Sequence, residues 1–154
     1  MGIVPRFSRQ ELKVMLADRV NQINLAILTQ LRFLGEKCVN HARQIDKKIG
    51  FEDQSGNLRS SIGYVIYLNG KPIGENFEKV KGGDEGIEKG RKLAKEVAGK
   101  YPRGFLLVVV AGMEYAVCVE ANNRDVLTSA EHLAEKKLPE MLKQIDDKIK
   151  RKYG

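Results

Sequence analysis

Apolar residues recur along the first third of the chain at steps of three and four. The series is Leu12, Leu16, Val20, Ile23, Ile27, Leu31, Leu34, Cys38, Ala42, Ile45 and Ile49. An eleven-residue repeat of this kind keeps the stripe nearly straight along one face of a helix. The pattern therefore predicts a long N-terminal helix. Ser8 followed by Glu11 reads as a capping box, Phe7 and Leu12 hold the positions of a hydrophobic staple, and Gly50 is the natural C-cap. Unbroken from 9 to 49, it would be about 60 Å long. A compact chain of this size has a radius of gyration near ~15 Å. Either the helix bends at Gly35, or part of it projects and packs on another chain.

The period then changes from helical to alternating. Ile62 to Leu68 is rich in β-branched and aromatic residues, Asn69-Gly70 favours a two-residue hairpin turn, and Lys71 to Phe77 returns. Pro72 suits an edge strand. Tyr64 and Tyr67 fall on opposite faces. Residues 79–86 read as a flexible connection. Ile87 to Ala98 reads as a short helix with Leu93, Ala94 and Val97 inward, ended by Gly99 and Pro102. Gly104 to Ala111 is a continuous apolar run, as in a strand buried on both faces. Gly112 turns the chain, and Glu114 to Glu120 is expected to pair back as a second hairpin. After a turn at Asn122-Asn123, Thr128 and Glu131 form a second capping box. Leu133, Leu138, Met141, Leu142, Ile145 and Ile149 mark a last helix, with Pro139 expected to kink it. The order predicts an α+β fold in one domain over residues 1–154. It has a long N-terminal helix, two antiparallel β-hairpins forming a four-stranded sheet, a middle short helix and a C-terminal helix.

The charge is uneven. Of a formal net charge of +7, residues 8–50 carry eight Lys or Arg against four acids, and residues 143–154 carry five against two. The second cluster includes Lys148, Lys150 and Arg151. A basic surplus attracts nucleic acid or an acidic protein. No apolar run reaches the ~18 residues of a membrane span. The N-terminal residues lack the apolar core of a secretory signal, and Arg6 stands where a myristoylation site needs Ser or Thr. Cys38 and Cys118 are expected as two buried thiols in a helix and a strand, in a reducing cytoplasm.

Chemistry is sparse. His41 and His132 fall on different helices, and no His or Cys pair has zinc spacing. No nucleophile elbow or phosphate-binding loop occurs, and KGGDEG follows no buried strand. Ser60 and Ser61 have no His or Lys nearby in sequence to activate them. Glu114 and Glu120 on one strand would lie about 20 Å apart, too far to act as a carboxylate pair. The expectation is a protein that is not an enzyme and needs no cofactor or metal.

The segment Ser55, Gly56, Asn57, Leu58, Arg59, Ser61 and Ile62, followed later by Tyr115, Ala116, Val119 and Glu120, resembles the gene-product-10-like family of lambdoid tailed phages. These are head–tail connector, neck or tail-completion proteins. The resemblance spans most of the chain in order, although Ala121-Asn122-Asn123 replaces the Gly-Thr many relatives carry. It implies a structural virion protein that forms a ring at the neck, between the portal or head-closure ring and the tail. It further implies contacts with copies of itself and with tail-tube or tail-terminator proteins, and packaged DNA in the channel. There would be no membrane, and assembly would take place in the host cytoplasm. Candidate interface residues are Asn57, Arg59, Ser60, Glu120, Lys148, Lys150 and Arg151. Gly56-Asn57 would turn the chain, with Leu58 and Ile62 anchoring the strand. Arg59 would pair with an acid such as Glu120, or contact a neighbouring subunit. A small basic nucleic-acid-binding protein is the alternative reading.

Overall fold

A computed structural model describes residues 2, 8–44, 55–113, 116, 120 and 125–153. The elements are α1 (Arg9–Arg43), α2 (Asn57–Ser61), β1 (Ile62–Leu68), β2 (Lys71–Phe77), α3 (Asp84–Ala98), β3 (Phe105–Ala111) and α4 (Thr128–Tyr153). The expected positions Phe7, Ile45, Ile49, Gly50, Glu114, Tyr115, Cys118 and Asn122-Asn123 lie outside the described residues.

The first helix begins as its sequence dictates. The Ser8 side chain accepts from the Glu11 N–H, and the Glu11 carboxylate accepts from the Ser8 N–H. The helix then runs unbroken through Gly35 to Arg43. Gly35 is there for close approach. A Cβ at this position would stand 2.7 Å from Cγ of Tyr64. Without a bend, 35 residues extend about 52 Å. Of the two alternatives, a break at Gly35 is absent, and every residue from 9 to 21 is exposed.

Among the described residues the sheet has three strands in the order β2-β1-β3, all antiparallel. The first hairpin forms where its pattern puts it. Asn69 and Gly70 both take positive φ, 50° and 80°. Pro72 sits on edge strand β2, beside an irregularity in the pairing at Ile66/Tyr67.

The expected four-stranded sheet is wrong, because the sheet of the described residues has three strands and no pairing partner from the 114–120 stretch. Ala116 and Glu120, its two described residues, are helical, and the Ala116 N–H donates to the Met113 carbonyl at 3.0 Å. The alternation of Tyr115, Val117 and Val119 suggested a strand. Tertiary context overrides such a propensity. A helical step puts Ala116 into the core and leaves Glu120 at the start of α4.

Two apolar clusters sandwich the sheet. On one face Ile62, Tyr64 and Ile66 of β1 meet Leu31, Leu34, Cys38 and Val39 of α1, with Ala130, Met141 and Ile145 of α4. On the other face Val65, Tyr67, Val108 and Val110 meet Ala94 and Ala98 of α3. The two tyrosines point to opposite faces, as the alternation requires. Helix α3 starts three residues earlier than its apolar pattern suggests, and α4 continues through Pro139.

Candidate functional site

The segment around Arg59 is a junction of the fold. Gly56-Asn57 leads into a single helical turn rather than directly into the strand. Leu58 and Ile62 are buried anchors, as expected. The Arg59 guanidinium donates to the Arg43 carbonyl at the end of α1. Arg43 in turn donates to the Ile62 carbonyl at 2.6 Å and to Glu78 at 2.9 Å. Burial lowers the Arg43 pKa, an effect that Glu78 and Glu36 oppose.

Ser60 is fully buried. Its hydroxyl accepts from the Val80 N–H at 2.7 Å and donates to the Val80 carbonyl at 3.2 Å. This removes it from any partner-facing surface. Ser61 likewise donates to the Leu58 carbonyl at 2.7 Å and accepts from the Met113 N–H at 3.3 Å. Both hydroxyls satisfy main-chain groups that would otherwise be costly to bury. The Asn57 N–H donates to the Ser55 hydroxyl.

Glu120 serves α4. Its Oε1 accepts from the N–H groups of Val126, Leu127 and Thr128 at 3.2, 2.7 and 3.0 Å, and from the Thr128 hydroxyl at 3.0 Å. These are orphan donors of a helix N-terminus, where a negative charge is favoured. Burial works to raise the Glu120 pKa, but these hydrogen bonds outweigh it and leave the pKa lowered. The cap expected from Thr128 is therefore supplied by Glu120, with Thr128 as one of its donors.

Lys148, Lys150 and Arg151 lie on the exposed last turns of α4. Lys150 pairs with Asp146 at 2.7 Å. That hydrogen bond raises the lysine pKa. Helices α1 and α4 run antiparallel. His41 meets Ser129 at one end, and the Tyr153 hydroxyl donates to Gln22 at the other. The candidate residues therefore fall into two groups at opposite ends of this helix pair, and no single site unites them.

Two apolar features stand out, of which the sequence pointed only to the first. The first is the exposed N-terminal third of α1, where Leu12, Met15, Leu16 and Val20 are 40 to 55% exposed. The second is a groove of about 780 Å³ between α4 and β3, with α1 as its floor. Phe105 and Leu107 form one wall, Leu138 and Leu142 the other. Their signal was present as an apolar stripe on each helix, but a stripe does not say which of its residues remain uncovered.

Cys38 is a free, buried thiol whose pKa is raised by burial, and it faces the Ala130 carbonyl at 3.7 Å. Among the described residues no group of three or more His, Cys, Asp or Glu is placed to hold a metal, and no helix is long and apolar enough to cross a membrane. No family model, curated protein or solved structure matches the chain.

Proposed function

We propose that this protein is an assembly subunit of a tailed-phage neck, a non-enzymatic head–tail connector or tail-completion protein. Copies of it form a ring that joins the portal or head-closure ring to the tail, around the path of packaged DNA. The observation that carries the reading is the exposed N-terminal third of α1. Thirteen consecutive helical residues, 9 to 21, are exposed, and they include Leu12, Val14, Met15, Leu16 and Val20. A lone helix bearing an apolar row is poorly stabilised in water and gains most of its stability from packing. The resemblance of the Ser55–Ile62 segment supplies the phage context.

The second reading, a small nucleic-acid-binding protein, draws on the exposed Lys148, Lys150, Arg151 and Lys152 at the end of α4. Light scattering of the purified protein, with absorbance at 260 and 280 nm and negative-stain electron microscopy, separates the two. The neck reading expects closed rings free of nucleic acid. A monomer carrying nucleic acid, with affinity falling steeply in salt, overturns it in favour of the second.

A further inference from the structure

We propose that the groove between α4 and β3 receives the exposed N-terminal third of α1 from a second copy of this chain, so that subunits join head to tail. The inference rests on the ring-forming reading above and names the two surfaces that make the contact.

The groove lacks a helix. Helix α1 covers the β1 part of the sheet, while Phe105, Leu107 and Val109 of β3 are only partly buried on the same face. On the far wall Leu138 and Leu142 of α4 are 41% and 55% exposed. An amphipathic helix laid between these walls would cover their apolar side chains and complete the layer.

The same chain carries such a helix. Leu12, Leu16 and Val20 stand one turn apart in a single row, with Met15 beside them. This segment cannot reach its own groove. Leu16 lies eleven residues before Ile27, a floor residue of the groove on the same unbroken helix, which places it about 16 Å away along the axis. If this segment is the occupant, it therefore comes from another copy.

Charge agrees with the pairing. Arg9 and Lys13 flank the donor row, whereas Glu131 lines the groove and Glu135 follows one turn later on the same face of α4. Among the described residues neither Arg9, Lys13 nor Glu131 has an ion pair within its own chain. Donor and acceptor are different patches, so the contact is heterologous and propagates to a ring where the rotation closes.

The test uses the full chain with two variants. One blocks the donor (Leu16→Glu with Val20→Glu), and the other blocks the acceptor (Leu138→Glu with Leu142→Glu). All four side chains are exposed, and circular dichroism checks that each variant is folded. Light scattering is expected to find an oligomer for the wild type and a monomer for each variant. An equimolar mixture of the variants retains one good donor and one good acceptor. It should stop at a dimer of about twice the 17.3 kDa chain mass. Lys13→Glu and Glu131→Lys should each weaken assembly about two- to fivefold, and the two together should recover it. Assembly that survives either blocked variant, or a mixture that stays monomeric, overturns the docking while leaving the ring reading intact. A groove filled instead by another protein or a small apolar ligand gives that second result. A wild type that is monomeric throughout overturns both.

Discussion

Gly35 of α1 lies flat against the ring of Tyr64 on β1, with no room for a methyl group between them. This contact sets how closely the long helix approaches the central strand. It also explains why a glycine, which costs about 1 kcal/mol in a helix relative to alanine, interrupts nothing. Gly35→Ala should gain that propensity but lose more through overpacking, which typically costs 1–3 kcal/mol. The expected net effect is a Tm lower by a few degrees, measured by thermal unfolding. An unchanged or higher Tm would mean that the ring yields without cost.

Tyr64 also ends in a polar network. Its hydroxyl donates to Glu36 at 3.0 Å, and the Asn76 amide donates to the same oxygen at 2.6 Å. Burial, then the Glu36 bond and its charge, push the Tyr64 pKa up to about 12. The unfolded value is near 10. Tyr64 thus contributes stability in full below about pH 10, and loses it as pH rises toward 12. A spectrophotometric titration should show a late phenolate component near pH 12 that Tyr64→Phe removes. Persistence of that component in the variant would assign it to another tyrosine.

Glu120 makes the opposite prediction with pH. Its folded pKa lies below the usual carboxylate value, so its contribution is complete above the unfolded value of about 4.3 and fades as pH falls through the folded one. Glu120→Gln removes the charge that three N–H groups share. A cost of about 1 kcal/mol is expected near neutral pH, as for loss of a helix cap. The gap between variant and wild type should close in acid. Denaturant unfolding at pH 7 and pH 3 checks this, and a gap that stays constant would rule out the charge as the cause.

The limits of sequence reading follow from where each signal lives. Ser8 with Glu11 and Asn69-Gly70 are local devices, and both act as their types imply. The Leu31–Ala42 stripe likewise reports a buried face through its period alone. Glu114 to Glu120 misled because its alternation is local while its fate is decided elsewhere. Glu120 is needed by Leu127 and Thr128, and Ala116 by the core between α1 and α4. Thr128 with Glu131 fits a capping box, yet the capping oxygen comes from Glu120, eight residues upstream. Ser60 reads in the sequence as a candidate interface residue, and only its bonds to Val80, twenty residues away, reveal it as interior. The groove was beyond reach altogether, since it exists only once α4 and β3 diverge from a shared floor.

Arg59 separates a structural role from an interface role. It ties α2 to the last carbonyl of α1, where Arg43 already bonds Ile62 and Glu78. Removing one member of such a junction leaves a main-chain acceptor short of a charged donor, and hydrogen bonds to charged groups are worth about 1.5–3 kcal/mol. Arg59→Ala should therefore lower the Tm by several degrees while leaving the oligomeric state of the protein unchanged below that temperature. Light scattering and thermal unfolding of the same sample read both quantities. A variant with wild-type Tm that no longer assembles would move Arg59 to the surface between subunits. The Asn57–Ser61 turn would then be part of a contact between subunits as well as of the fold.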